Sequence, residues 1–440
     1  MPSISDRTPL LENGDGINHG RRSFSNRVIS MLKPEGQPSW LASYRFFFLG
    51  SWLNVPLVFV ILSFLSHVMD WDAPLRFAFS FLAIMPLAAL LGTATDQMSL
   101  QLGQTLAGLL NASFGNAVEI IVGIAALLQG ELRIVQTSML GSILSNLLLV
   151  LGCSFLAGGL IKDGEFNDTG AQAASSLMTL ACITLVIPAA YHSALSHSDS
   201  SKLDADSLYA SQIDGSTGIG REGEAGLRTI SRGTAIILLF VYIAYLIFQL
   251  KTHAKLFEKQ QHTQPELEVE GQQHMPPVTE AEEEQRMNVP AAASALLLVT
   301  VVTSFCAEYL VDSIEETAKR FQIPKAFIGV ILLPIVANAA EHVTSVWMAR
   351  KDKMELTIGI CVGSSIQIST FVVPLLVIVG WITHHNLTLF FSDFETIVLF
   401  VSVLLVQFLI QDGKSNYMEG LMLITLYLVI GISFWVAPDA

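Results

Sequence analysis

Residues 111–120 read NASFGNAVEI, and residues 335–344 read IVANAAEHVT. Each stretch sets one carboxylate, Glu119 or Glu341, among small and apolar residues, three positions after an asparagine. The copies share a register: Asn116 and Asn338, Glu119 and Glu341, and the pairs Gly141-Ser142 and Gly363-Ser364 all stand 222 positions apart (338 − 116). A register held across a helix, a loop and the start of the next helix marks an internal repeat. Two acids in equivalent places point to one shared role.

The surroundings of these motifs set the class of protein. The 440 residues are 52% hydrophobic and 14% charged, with mean hydropathy +0.54, where a soluble domain carries about 25% charged residues. An all-α integral membrane protein is expected. A hydrocarbon core about 30 Å thick needs roughly 20 apolar residues per helix. Runs of that kind predict eleven transmembrane helices: Phe46–Ser66; then Leu75–Leu91, Leu106–Leu128, Val135–Ile161, Ala173–Ala194 and Thr234–Leu250; then Val289–Val311, Ala326–Met348, Leu356–Ile382, Thr396–Ile410 and Gly420–Val436. The expected plan is a basic, Ser-rich N-terminal arm (1–44), a first transmembrane helix (45–68), a five-helix repeat (73–250), an acidic linker (251–288) and a second five-helix repeat (289–440). The linker sets Glu258, Glu266, Glu268, Glu270, Glu280, Glu282, Glu283 and Glu284 against Lys255, Lys259 and Arg286, and reads as a solvated connector. A second polar loop is expected over His197–Arg232.

The first 27 residues contain no short apolar core, so no cleaved signal peptide is expected. Cys153, Cys182, Cys306 and Cys361 fall in apolar runs without metal-binding spacing, which predicts neither disulfides nor a thiolate metal site. The net charge of −14 offers no basic face, so lipid and not nucleic acid is the expected partner.

Five is an odd number of spans, so the second block enters the membrane from the opposite side and the repeat has inverted topology. The two glutamates are then expected to meet near a pseudo-two-fold axis. A cytosolic N-terminus puts Arg350, Lys351 and Lys353 on the side of Arg21, Arg22, Arg27 and Lys33, whereas Arg76, Arg133, Lys319 and Arg320 fall on the far side, against the usual bias. Asp96, Asp393, Glu395 and Asp412 lie at helix ends and are expected to be solvated.

On a helix, residues i and i+3 share a face, so Asn116 with Glu119 and Asn338 with Glu341 each present an amide carbonyl beside a carboxylate. Calcium takes six to eight such hard oxygens at about 2.3–2.6 Å. An interruption of the helix is expected in each copy, at Ser113-Phe114-Gly115 and at Pro334, whose missing N–H would free the Val330 carbonyl as a further donor. Ser142, Ser145 and Asn146 on one partner helix, and Ser364, Ser365 and Gln367 on the other, add polar groups for which close packing and ion ligation both stay open.

An uncompensated carboxylate at mid-bilayer costs from roughly 2.5 kcal/mol upward, and two near one another repel as well. One Ca²⁺ or two protons neutralise the pair, and the same oxygens cannot hold both. A site that changes sides only when neutral therefore exchanges one for the other, with the protons titrating the pair as a unit. The expected chemistry is exchange of Ca²⁺ for at least two H⁺, carried by Glu119 and Glu341. His342 points about 100° away from Glu341, so packing or gating competes with direct ligation, and it is a candidate for proton coupling. Glu308, toward the end of its span, is a proton-relay candidate set against a plain interfacial position.

With these residues in view, the chain resembles the CAX-type calcium (cation)/proton exchangers of the cation/Ca²⁺ exchanger superfamily, fungal vacuolar members above all. The resemblance is carried by GLLNASFGNAVE (108–119), LGSILSNLLLVLG (140–152), ILLPIVANAAEH (331–342) and VGSSIQI (362–368), and covers about Phe46 to Val436. It implies an eleven-helix fold with an acidic connector and secondary active removal of cytosolic Ca²⁺ into an acidic vacuole. It also implies that Glu119 and Glu341 are the central ion-binding acids, with Asn116, Asn338, Ser142, Ser145, Ser364 and Gln367 nearby. Ala337 departs from the family's usual glycine. Asp6-Arg7-Thr8-Pro9-Leu10-Leu11 fits an acidic dileucine sorting signal, consistent with a vacuolar membrane address.

Two rivals belong beside this reading. A Na⁺/Ca²⁺ exchanger shares the architecture, but its repeats resemble G-S-S-x-P-E, whereas Asn and Ala stand here. An intramembrane zinc protease would use H-x-x-E-H, but Asn338 replaces the first His and the first repeat has none. Gly413-Lys414-Ser415 is no phosphate loop, since position 408 is Phe where Gly is required. No cofactor is expected, and Ca²⁺ and H⁺ are substrates. The choice among Ca²⁺, Mn²⁺ and monovalent ions, and the oligomeric state, a homo-oligomer included, stay open at this level.

Overall fold

A computed structural model describes residues 38–102, 104–166, 168–200, 221–253 and 285–436. The dileucine pattern, the basic residues of the arm, the centre of the polar loop (201–220) and most of the acidic linker (254–284) lie outside the described residues. The chain is almost wholly helical: α1 Trp40–Leu49, α2 Trp52–Val68, α3 Ala73–Leu102, α4 Gln104–Phe114, α5 Ala117–Leu128, α6 Leu132–Gly159, α7 Asp168–Ser200, α8 Gly223–Thr252, α9 Val289–Phe321, α10 Lys325–Ala337, α11 Ala339–Arg350, α12 Met354–Ile382, α13 Asp393–Leu409 and α14 Tyr417–Val436. Among the described residues, seven helices are individually long and apolar enough to cross a membrane, or nine if α1 with α2 and α10 with α11 each count as one bent span.

The first span is not the single helix expected over Phe46–Ser66. It bends by 87° between α1 and α2, where Ser51 is extended and its hydroxyl caps the Leu53 N–H at 3.2 Å. Pro56, in the opening 3₁₀ turn of α2, lacks the N–H that would continue a regular ladder. Elsewhere the helices outrun their apolar cores. The expected Leu75–Leu91 continues to Leu102 in α3, where the Thr93 and Thr95 hydroxyls are satisfied within the helix by the Ala89 and Leu91 carbonyls at 2.9 and 2.8 Å. The polar loop expected over His197–Arg232 is helical at both ends, in α7 and α8.

The two motif spans are broken, and the second break corrects the sequence reading. The first falls at Gly115–Asn116, at the end of the expected Ser113-Phe114-Gly115, whose first two residues stay helical; the second falls at Asn338, with a bend of 58°, and not at Pro334. A π-turn over Ile328–Leu332 precedes Pro334, so the wider turn carries the ladder past the nitrogen that cannot donate. The Val330 carbonyl is also not a free donor lining a cavity. It is seated against Gly141 of α6, where an added methyl would stand 2.6 Å from the Val330 Cα and 2.7 Å from the Pro334 Cγ.

Helix boundaries keep the sequence register. Helices α5 and α11 begin at 117 and 339 and end at 128 and 350; α6 and α12 begin at 132 and 354; each pair is 222 residues apart. Both α6 and α12 carry a π-turn, at Ser145–Val150 and Ile368–Val372. These are among the most enclosed of the long helices, with 83% and 61% of their apolar windows buried, so polar groups on them lie at the centre. Helices α3 and α9 pack against each other along their length.

The ends of the bundle are tied by charge. On one face, which includes residues 351–353 and the end of the linker and is called the linker face below, Lys162 pairs with Asp352 at 3.0 Å and residues 164–165 form a two-residue antiparallel ladder with 414–415. On the far face the cations that contradict the positive-side bias are all paired: Arg76 with Asp70 and Asp312, Arg133 with Glu395, Lys319 with Glu315, and Arg320 with Asp72. Glu395 is thus not solvated as expected. It is 0% exposed, closes the capping box of α13 with Ser392, and accepts both arms of the Arg133 guanidinium at 2.9 and 2.7 Å.

Candidate ion-binding site

Each broken span ends one helix and starts another deep in the bundle. Asn116 and Asn338 stand at the breaks, and neither side chain caps its own helix. Freed from capping, both amides reach across to the other block. The Asn116 carbonyl accepts from the Ser364 hydroxyl at 2.8 Å, and its amide donates to the Gln367 carbonyl oxygen. Asn338 donates a long 3.5 Å bond to the Ser142 carbonyl. Ser364 accepts in turn from Asn146 at 2.9 Å, so residues of both repeats share one network.

Glu119 and Glu341 occupy the first turns of α5 and α11. Uncapped N–H groups there give a partial positive charge, a surrounding worth about 0.3–1 kcal/mol to a carboxylate. The ends of α4 and α10 present last-turn carbonyls to the same break. Glu119 is 4% exposed and lines a small cavity with Ser138, Ser142 and the apolar Phe81, Leu310 and Val336. Glu341 is half-buried, faces Ser364 and Asn146, and lies close enough to Glu119 to feel its charge.

The donor set is chemically one-sided. Ser145 Oγ, Asn146 Oδ1, Asn338 Oδ1 and Glu341 Oε2 are all buried and have no hydrogen-bond partner. Orphaned buried oxygens are costly, since each forfeits its hydration. One of the four belongs to a carboxylate and three to neutral side chains, a set that a hard cation satisfies and an apolar molecule does not. Among the described residues no three of His, Cys, Asp and Glu come together, so the ligand set of a zinc protease is not assembled. All four cysteines are free thiols.

Not every candidate joins this cluster. His342 is half-buried and takes no part in the network through its side chain; its N–H serves the Asn338 carbonyl at 2.9 Å. Glu308 is exposed on α9, and its backbone carbonyl accepts from Gln129. Gln129 lies ten residues beyond Glu119, about 15 Å at the helical rise. Asn146, already among the polar groups noted on this helix, bridges to Ser364, and two further participants are additions to those expected from the sequence. Tyr427, 3% exposed on α14, faces the Ser145 hydroxyl without closing a bond. Tyr242, 5% exposed on α8, bonds Gln367. Each tyrosine comes from the last helix of its block, but they stand 185 positions apart (427 − 242), outside the 222 register, so the repeat did not reveal them.

Broken spans that bring acids and unsatisfied oxygens together inside an apolar bundle are the architecture of a membrane ion transporter. The chain belongs to the sodium/calcium exchanger protein family, whose sequence pattern matches residues 73–251 and 291–436. It is 40% identical over 439 residues to a vacuolar calcium ion transporter of Schizosaccharomyces pombe, covering 99% of this chain and 94% of that one. It is 39% identical over 383 residues to a Ca²⁺/H⁺ antiporter of Aphanothece halophytica, covering 87% and 95%. Among solved structures, native YfkE superposes with a TM-score of 0.68 at 32% identity, covering 87% of this chain and all of that one. The H⁺/Ca²⁺ exchanger CAX, at 13% identity and a TM-score of 0.60 over 87% and 91%, shares the fold.

Proposed function

We propose that this chain is a multi-pass antiporter of the vacuolar membrane that moves cytosolic Ca²⁺ inward against outgoing H⁺, with Glu119 and Glu341 as the shared site. The observation that supports this reading is the burial, without hydrogen-bond partners, of Glu341 Oε2 and of three neutral oxygens on Ser145, Asn146 and Asn338, in a bundle that also buries Glu119. Cations and protons compete for the same atoms, and only a neutralised pair can be sealed from water. Asn116, Asn338, Ser142, Ser145, Asn146, Ser364 and Gln367 supply or position the remaining oxygens. Sequence relatives named for calcium transport and Ca²⁺/H⁺ antiport support the choice of ions, and protons are favoured over Na⁺ by the Asn and Ala that stand beside each acid. Mn²⁺ is the nearest alternative cargo on ligand chemistry.

Counting α4 with α5 and α13 as further spans brings the total to eleven, arranged 1 + 5 + 5 with inverted repeats. The common 222-residue offset of helix ends and the two separate family matches support that arrangement. The linker face is then cytosolic, with the N-terminus. Proton-gradient-driven Ca²⁺ uptake into vesicles containing the protein tests the whole reading. Glu119→Gln and Glu341→Gln should each abolish uptake, and full transport by either refutes the shared site.

A further inference from the structure

Of the four cysteines, Cys361 alone has a sulfur residue at its counterpart in the repeat: Met139, 222 positions before it (361 − 139). Cys153, Cys182 and Cys306 correspond to Leu375, Leu404 and Ile84. Cys361 lies on α12 and Met139 on α6, and they are 0% and 2% exposed. Each stands three positions before the site serine of its helix, Ser364 or Ser142, and so shares its face. On α6 the consequence is direct: Met139 and Ser142 line the Glu119 cavity together. On α12 the thiol is fastened to the helix of the second acid. Cys361 donates to the hydroxyl of Ser345, one turn beyond Glu341, at 3.6 Å, and it lies close enough to Glu341 to feel its charge. Glu341 Oε2 is buried without a partner. One sulfur residue thus accompanies each acid, a turn nearer a membrane face than the serine: Cys361 toward the linker face, Met139 toward the far face.

We propose that Met139 and Cys361 are a soft-donor pair that sets the site's preference between hard and soft divalent cations, and that through them Cd²⁺ occupies the site in competition with Ca²⁺. The inference rests on the shared-site reading above and adds the residues that grade its cargo. Carboxylate, amide and hydroxyl oxygens suit a hard ion, whereas thiol and thioether sulfurs favour a polarisable one. Packing alone asks for an apolar side chain of fitting volume, and it does not call for sulfur at both members of one register pair. The two donors are unequal. Cys361 binds as the thiolate, so its proton leaves to solvent as the sulfur–cadmium bond forms. Met139 has no proton to lose and is the weaker ligand, so the soft preference resides mainly on the linker-face side. Because Cys361 is 0% exposed, the metal reaches it through the ion site, and Ca²⁺ held there shields it.

The ultraviolet charge-transfer absorption of a cadmium–thiolate bond reads the contact directly, with Cd²⁺ alone as the probe and the full chain in detergent. With Cys153, Cys182 and Cys306 replaced by alanine, Cys361 is the sole thiol. That chain should develop the band at about one Cd²⁺ per chain, excess Ca²⁺ should erase it, and adding Cys361→Ser should abolish it. In vesicles made with the otherwise native chain, preference is the KM for Ca²⁺ divided by the Cd²⁺ concentration that halves uptake. Cys361→Ser should lower that preference about tenfold. Met139→Leu, which conserves volume, should lower it about threefold. No band, a band that survives Cys361→Ser or excess Ca²⁺, or an unchanged preference in either variant overturns the pair. The band needs no gradient. A Ca²⁺-displaceable band in a chain that exchanges no protons would refute the antiport reading and leave the soft-donor pair standing.

Discussion

Replacing Arg133 with Met isolates the charge pair that anchors α6, the helix carrying Ser142, Ser145 and Asn146. Arg133 meets Glu395 through two bonds of 2.9 and 2.7 Å, and Glu395 is 0% exposed. Without the guanidinium, the Ser392 N–H at 3.0 Å is the remaining hydrogen bond to this carboxylate. Removing one partner of a buried pair costs about 3–5 kcal/mol. The Arg133 side chain is 28% exposed, so water reaches the vacated end and the lower value, about 3 kcal/mol, applies. At about 2.1 cal/mol/K per residue over the 440-residue chain, that lowers the melting temperature by roughly 3 °C. Adding Glu395→Gln removes the stranded charge and keeps a side chain suited to the capping box, so the double variant should recover most of the loss. Thermal melts of the purified protein in detergent decide the matter. A single variant melting within about 1 °C of wild type, or a double variant no better than the single, refutes the reasoning.

Two further substitutions probe the site's edges. Asn146→Ala removes the donor to Ser364 and one unpartnered oxygen, and should raise the KM for Ca²⁺ about tenfold, the worth of one hydrogen bond to a charged group; an unchanged KM in vesicle uptake would remove Asn146 from the site. Tyr427→Phe deletes a buried hydroxyl that closes no bond in this state, so the melting temperature should hold. If that hydroxyl accepts the Ser145 proton when Ser145 turns a lone pair to the ion, KM should rise by about threefold, less than a full hydrogen bond; a stability loss without a KM change would assign Tyr427 to packing.

How much of this was legible in the sequence depends on which physical signal each feature leaves. The 222-residue register of the helix ends and the asparagines at the two breaks were readable because register and polarity survive in a linear text. The break at Asn338 was not, since Pro334 is the stronger helix breaker on paper and only the π-turn before it absorbs the missing donor. The bend at Gly50–Ser51 was hidden because apolar content continues across it. Glu395 looked like a solvated helix end, and only its pairing with a residue 262 positions away reveals a buried clasp. Tyr242 and Tyr427 come from helices whose spacing departs from the repeat.

The central claim is that a divalent ion and protons displace one another from the same pair of carboxylates. Proton release on adding Ca²⁺ to the purified protein in weakly buffered solution, begun at a pH where the pair is protonated, tests it most directly. The account predicts release of about two protons per ion bound, since the ion replaces both on a coupled pair, and no release from the Glu119→Gln, Glu341→Gln double variant. Ca²⁺ binding to the wild type without proton release, or equal release from the double variant, would contradict it.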